Sequence, residues 1–148
     1  MYKEIIHMSN PQRPHWDEIF MNLAKEMARR STCNRLHVGA VLVKGKHPVM
    51  TGYNGSLPGH EHCTDEDGCL MYEGSCKRTI HAERNVLDNC ARLGIATEGA
   101  TLYVTHYPCP DCMKSIANAG IKEVIYGEIY PHKYPNQFHQ DLILREYR

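Results

Sequence analysis

This sequence predicts an α/β fold built on a mixed sheet, and two observations carry the prediction. The stretch from Val38 to Gly52 reads as two extended runs joined by a Gly-Lys-His-Pro turn, the pattern of a hairpin. Further on, "ATLYVTH" (100–106), "CPDCMKSIANAG" (109–120) and "EVIYG" (123–127) read as strand, helix and strand, an order that makes the two strands parallel. A hairpin and a parallel pair in one chain imply strands running both ways.

The remaining elements follow in order. Residues 16–30 place Ile19, Phe20, Leu23, Ala24 and Met27 at helical spacing, with Arg29 and Arg30 in the last turn, where positive charge suits the helix dipole. The first hairpin strand is the β-branched run from Val38 to Val43. From Gly55 to Lys77 the chain is rich in Gly, Asp, Glu, His and Cys without periodicity, and so long a loop is uncommon unless something organises it. Residues 81–93 put Ala82, Val86, Cys90 and Leu93 on one stripe, and Gly94 stands where a left-handed residue ends a helix. Gly120 ends the 109–120 helix in the same way. The tail, 129–148, has two prolines and then Phe138, Leu142 and Ile143 at a spacing that allows a short terminal helix, read as a lid on the core or an oligomer contact.

A chain of 148 residues fits one domain spanning 1–148, with residues 1–15 as an N-terminal extension. Seventeen basic and 17 acidic residues cancel, and no stretch concentrates Lys or Arg, so long nucleic acid is not an expected partner. The N-terminal stretch has no apolar run of signal-peptide length, and nowhere do about 18 uncharged apolar residues follow one another, so no membrane association is expected and the reading is soluble and cytoplasmic. Seven cysteines, an odd number, stand beside ten histidines in a chain of ordinary apolar content. That balance favours metal or thiol chemistry over a disulfide-stapled module, although buried cysteines also serve as small hydrophobes.

The chemistry concentrates in "TIHAER" (79–84) and "HYPCPDC" (106–112). Each opens an expected helix, so His81, Cys109 and Cys112 converge if the two helix N-termini are neighbours. Cys109 and Cys112 share one face of a turn, where the positive end of the helix favours the thiolate, and Pro108 or Pro110 suits a first-turn position. Three N/S ligands leave a fourth tetrahedral position for water, the arrangement of a catalytic zinc whose water has a pKa near about 7. Glu83, two residues from His81, can take a proton from that water and deliver it to a nitrogen and then to a leaving amine. H-x-E followed by P-C-x-x-C is the signature of zinc nucleobase deaminases. The competing reading is a closed structural zinc with His106 as fourth ligand.

From about Trp16 to Gly127 the chain resembles the deoxycytidylate (dCMP) deaminase family of the cytidine deaminase-like superfamily. The segments that carry the likeness are "STCNRLHVGAVLV", "TGYNG", "RTIHAERN" and "LYVTHYPCPDCMKSIANAGIKEVIYG". The resemblance implies a three-layer α/β/α cytidine deaminase-like fold with a central mixed sheet of about five strands. It implies hydrolysis of dCMP to dUMP and ammonia, feeding thymidylate synthesis, with Zn2+ on His81, Cys109 and Cys112 and Glu83 as the acid/base. Asn54 and Ala82 would contact the substrate, Asn54 touching the sugar, although Asn-Gly is also a common turn pair. Relatives are often homohexamers activated by dCTP and inhibited by dTTP, so a homo-oligomer, those effectors and Mg2+ with a nucleotide effector are expected. For the 5′-phosphate, Arg35, Arg78 and His106 are the candidates.

Of the other cysteines, Cys90 lies on an apolar stripe. Cys33, Cys63, Cys69 and Cys76 fall after the first helix and in the irregular loop, and four thiolates would complete a structural zinc site. The alternatives are reduced thiols, or a mixed site using His60 or His62. Against the dCMP reading stand another zinc deaminase acting on cytosine nucleotides, a tRNA adenosine deaminase, and a non-catalytic nucleotide-binding or competence-related protein.

Overall fold

Five strands form the central sheet of the computed structural model, which describes residues 13–129, 138 and 142–148. In chain order the elements are α1 (Trp16–Ala28), β1 (Gly39–Lys44), β2 (His47–Tyr53), β3 (Met71–Tyr72), β4 (Ser75–Cys76), α2 (Ala82–Leu93), β5 (Thr101–His106), α3 (Pro110–Asn118), β6 (Glu123–Glu128) and β7 (Ile143–Glu146). The sheet order is β2-β1-β5-β6-β7, with β1 antiparallel to both neighbours and β5, β6 and β7 mutually parallel. β3 and β4 pair as a separate small ribbon.

Strand alternation sorts the core into two faces. Ala40, Leu42, Leu102, Val104 and Val124 point to the side covered by α2 and α3, through Val86, Leu87, Cys90 and Ile116. Val41, Val43, Tyr103 and Ile125 point the other way, onto Phe20, Met21 and Ala24 of α1. The result is three layers around a mixed five-stranded sheet, as the family resemblance implies. Each fully buried Val, Leu, Ile or Met contributes roughly 1.5–3 kcal/mol, whereas an exposed ion pair contributes about 0–1, so these two faces hold the sheet together.

The hairpin turn is tighter than the sequence suggests. Gly45 (φ 55°) and Lys46 (φ 64°) form a two-residue turn in left-handed conformation, and His47 and Pro48 already belong to β2. The register slips between Leu42, opposite Met50, and Val43, opposite Pro48. Pro48, which has no N–H to give, is accommodated because β2 is an edge strand.

Gly94 ends α2 with φ 72°, as expected, but Leu93 is 59% exposed and Leu87 takes the core position instead. In α1, Ile19 is 43% exposed while Met21 and Ala28 are buried, so the buried stripe is rotated from the expected one. The terminal helix is a correction: Ile143–Glu146 is a strand that adds in parallel to β6. Arg145 secures it, donating from Nη1 to Asp17 Oδ2 (2.9 Å) and from Nε to Glu123 Oε1 (2.6 Å). Phe138 is exposed at the surface, and most of the 130–141 segment, like residues 1–12 of the N-terminal extension, lies outside the described residues. No described helix is long and apolar enough to cross a membrane.

Gly39 fixes the distance between α1 and the sheet. A Cβ there would overlap the Ala24 carbonyl oxygen and come within 2.6 Å of the Ala28 nitrogen, both backbone atoms that cannot yield without moving the helix. Gly39→Ala is therefore expected to lower stability by about 3 kcal/mol, at the upper end of overpacking substitutions. Urea unfolding followed by circular dichroism measures this, and a change below about 0.5 kcal/mol would mean that α1 is not seated so closely.

Candidate active site

One end of the sheet gathers the functional side chains, because β1 runs antiparallel to β5 and to β2. The residues before β1, after β2 and at the end of β5 therefore meet. Gly55 and Ile80 exchange backbone hydrogen bonds (3.2 and 2.8 Å), pinning together the two ends of the irregular loop and setting His81 down beside that end. His81 is the N-cap residue of α2 but makes no capping bond with its side chain, which is turned to the N-terminus of α3. There Cys109 is the N-cap residue, its sulfur accepting from the Cys112 N–H, with Pro110 in the first turn.

His81 Nδ1 lies 3.6 Å from Cys109 Sγ and 3.4 Å from Cys112 Sγ, and the three ligand atoms are all within 4.8 Å of one another. A tetrahedral zinc with Zn–N of about 2.0–2.1 Å and Zn–S of about 2.3 Å needs N···S separations of about 3.6 Å. The three atoms fit that ion. Since Nδ1 faces both sulfurs, Nδ1 must be the unprotonated nitrogen in a metal-bound form, leaving the proton on Nε2.

The electrostatics match a ligand set. The hydrogen bond from Cys112 is the main influence holding the Cys109 thiol well below its usual range, to about 4, with His81 adding to it. The same pairing, with burial, pushes Cys112 up, so the metal-free pair shares one proton. His81 is raised by its bond to Cys109. Glu83, in the first turn of α2, is 4% exposed, and burial pushes its carboxyl up against the opposing pull of His81.

A cavity of about 870 Å3 opens over this cluster, a size suited to a nucleotide, and His81, Ala82, Glu83 and Cys109 form part of its lining. Asn54 is buried and reaches the same cavity, but its amide is already engaged: Oδ1 accepts from the Val38 N–H (2.8 Å) and Nδ2 donates to the Leu36 carbonyl (2.7 Å). An Asn has two donors and two lone pairs, so those bonds use half of its capacity.

The phosphate candidates separate. Arg35 lines the cavity and donates from Nη1 to the Gly74 carbonyl (3.1 Å). Arg78 does not line it; its guanidinium holds the Gly68 carbonyl and pairs with Glu61 (3.2 Å). His106 lines the cavity, but burial lowers its pKa, and its ring is held by neighbours. Thr105 Oγ1 accepts from the Gly39 N–H and shares a hydrogen bond with His106 Nδ1 (2.8 Å), while His106 Nε2 lies 3.4 Å from Glu128. That locked ring also argues against His106 as a fourth metal ligand. Lys77, which the sequence reading passed over, lines the cavity as an exposed cation. Its one signal was its place beside Cys76 at the end of the loop.

In the loop, Cys63, Cys69 and Cys76 bring their sulfurs within 4.8 Å of one another, with Cys63 and Cys76 3.5 Å apart. Cys33 is not in this group, a correction to the four-cysteine set. Its sulfur accepts from the Arg35 N–H (3.4 Å) and its residue lines the main cavity. His62 Nδ1 is buried without a hydrogen-bond partner among the described residues.

Residues 14–128 match the family described as "Cytidine and deoxycytidylate deaminase zinc-binding region". The chain is 50% identical over 127 residues to ComE operon protein 2 of Bacillus subtilis, covering 85% of this chain and 67% of that protein. It is 41% identical over 124 residues to the deoxycytidylate deaminase of Mycobacterium phage D29, covering 77% of this chain and 95% of that protein. Among solved structures, the dCMP deaminase of cyanophage S-TIM5 in complex with dCMP and dUMP superposes with a TM-score of 0.79 at 32% identity, covering 93% of this chain and all of that one. With the H-x-E and P-C-x-x-C segments joined in one tetrahedral half-shell, the sequence match and the shared fold lead to one conclusion: the chain belongs to the cytidine and deoxycytidylate deaminase family.

Proposed function

We propose that the protein hydrolyses dCMP to dUMP and ammonia, and the observation that carries the proposal is the His81–Cys109–Cys112 set, spaced for one zinc ion, with a buried carboxyl in the adjoining helical turn. His81, Cys109 and Cys112 would hold Zn2+, which supplies Lewis-acid activation of water there. Glu83 takes one proton of the attacking water and gives it to the ring nitrogen, then takes the remaining hydroxyl proton and passes it to the exocyclic amine. The C4–O bond forms, the C4–N bond breaks and ammonia leaves. Burial raises the Glu83 carboxyl against the pull of His81, and a nearby dication would favour its ionised form. Ala82 lies at the cavity wall, and Asn54, with half its hydrogen-bonding capacity left, is the residue we assign to the sugar.

Arg35 and Lys77 are the cations we assign to the 5′-phosphate. Cys63, Cys69 and Cys76 would hold a second, structural Zn2+: tetrahedral thiolates stand about 3.8 Å apart, and the Cys63–Cys76 pair is at 3.5 Å. The family resemblance of the "GYNG" segment supports activation by dCTP, with Mg2+ accompanying the effector, and inhibition by dTTP. The same resemblance supports a homohexamer and a cytoplasmic role in thymidylate supply.

Ammonia release tests the assignment: dCMP should react well, and CMP and deoxycytidine poorly. Activity on unphosphorylated nucleosides alone, or on tRNA adenosine alone, would overturn it. Glu83→Gln is expected to keep its metal and lose at least about 100-fold in kcat, the scale of a general acid/base, and full turnover would refute the shuttle. Lys77→Gln should raise KM for dCMP about tenfold, the loss of one charged hydrogen bond, and leave deoxycytidine unaffected; equal effects on both would remove Lys77 from the phosphate. Elemental analysis of the purified chain should find about two zinc ions, falling to about one in Cys63→Ser, whereas one ion in the unaltered chain would remove the structural site.

A further inference from the structure

We propose that Cys63 and Cys76 are a modification site at which a hydroperoxide forms a disulfide that resets one wall of the active-site cavity. The two sulfurs are 3.5 Å apart, and a disulfide needs about 2.05 Å, so an approach of about 1.5 Å closes the bond. The partners differ in access. Cys63 is completely buried, whereas Cys76 is half-buried and lines the cavity, within reach of a small oxidant.

The segment that must move is light. β3 and β4 are two residues each, joined through Glu73 (φ 47°) and Gly74 (φ 81°), and they pair with each other and not with the central sheet. Movement of β4 reaches the cavity directly, because Ser75 and Lys77 flank Cys76 and line it too, and Arg35 is tied to the Gly74 carbonyl. Both cations assigned to the phosphate therefore ride on the ribbon that the disulfide would pull.

The chemistry balances with the peroxide as the only co-reactant. With hydrogen peroxide, the Cys76 sulfur attacks one peroxide oxygen, the O–O bond breaks, the thiol proton passes to the departing oxygen, and water leaves while Cys76 keeps a sulfenic acid. The Cys63 sulfur then attacks that sulfur, the S–S bond forms, the S–O bond breaks and a second water leaves. The two thiols lose two electrons and the peroxide gains them. Any ion held by the cluster loses two ligands and is released.

The disulfide does not depend on the deaminase reading; only its kinetic consequence does. The experiment treats the zinc-loaded full chain with a few equivalents of hydrogen peroxide, blocks remaining thiols with N-ethylmaleimide and maps the linked peptides by mass spectrometry, while a chromogenic chelator reads released zinc. The expected result is a Cys63–Cys76 link with about one zinc released, reversed by dithiothreitol and zinc, and a severalfold higher KM for dCMP with a smaller change in kcat. Cys76→Ser should form no such link. If that variant does not fold, the map of the unaltered chain still decides. Finding both thiols blocked by the maleimide, or only Cys109–Cys112 or a Cys69 pair linked, overturns the proposal. If dCMP is not deaminated at all, the deaminase reading fails while the map still returns its answer.

Discussion

Everything at the active end of the molecule depends on two helix N-termini meeting side by side. The first residues of a helix carry unpaired N–H groups and a partial positive charge, which normally draw a side-chain oxygen as a cap. Here both cap positions are occupied by soft ligands. His81 gives up capping altogether, and Cys109 caps with a sulfur that at the same time faces His81. The positive helix ends that lose an oxygen cap favour the Cys109 thiolate, while Cys112 and His81 are shifted up and hold the protons that a bound ion would displace.

That meeting is enforced from below by close packing. A Cβ at Gly52 on β2 would stand 2.9 Å from the Ala82 carbonyl oxygen and 2.9 Å from Val86 Cγ2, so glycine lets α2 sink onto the sheet. Asn85 Nδ2 donates to the Tyr53 carbonyl (2.7 Å) and ties the same helix to the end of β2. α3 is placed by the β5–β6 crossover, whose strands are parallel and therefore deliver the helix to one sheet face. The position of Glu83 follows from these constraints. It needs no contact of its own to be buried, because the turn that carries His81 is already pressed onto the core.

These constraints also explain which features the sequence disclosed. Hairpin, crossover and α2 were legible because each has a local signal: β-branched runs, two strands on either side of a helix, and glycines that adopt left-handed φ at Gly94 and Gly120. The ligand trio was legible for the same reason, being two short motifs at helix starts. β7 was not, since a four-residue parallel edge strand is defined by its partner β6 and by Arg145, which reaches back to Asp17 across the whole chain. Leu142 and Ile143 suit a helical turn or a strand equally. Lys77 and the departure of Cys33 from the cysteine group were hidden because a loop without periodicity has no pattern from which side-chain directions can be read.

The loop is where local rules stop and long-range contacts take over. It has almost no regular structure, yet Asn34 Nδ2 donates to the Cys63 carbonyl, Arg78 holds the Gly68 carbonyl, and the Lys77 N–H donates to the Leu70 carbonyl (2.8 Å). The Lys77 bond joins a residue that lines the cavity to one that does not, and the other two join residues outside that lining. Few apolar side chains of this loop are buried, and Leu57, Leu70, Met71 and Tyr72 are exposed. The catalytic end, by contrast, stands on the packed faces of the sheet. The His81–Cys109–Cys112 cluster thus stands against the packed faces of the sheet, whereas the cavity rim bearing Lys77 stands on a loop held mainly by polar bonds.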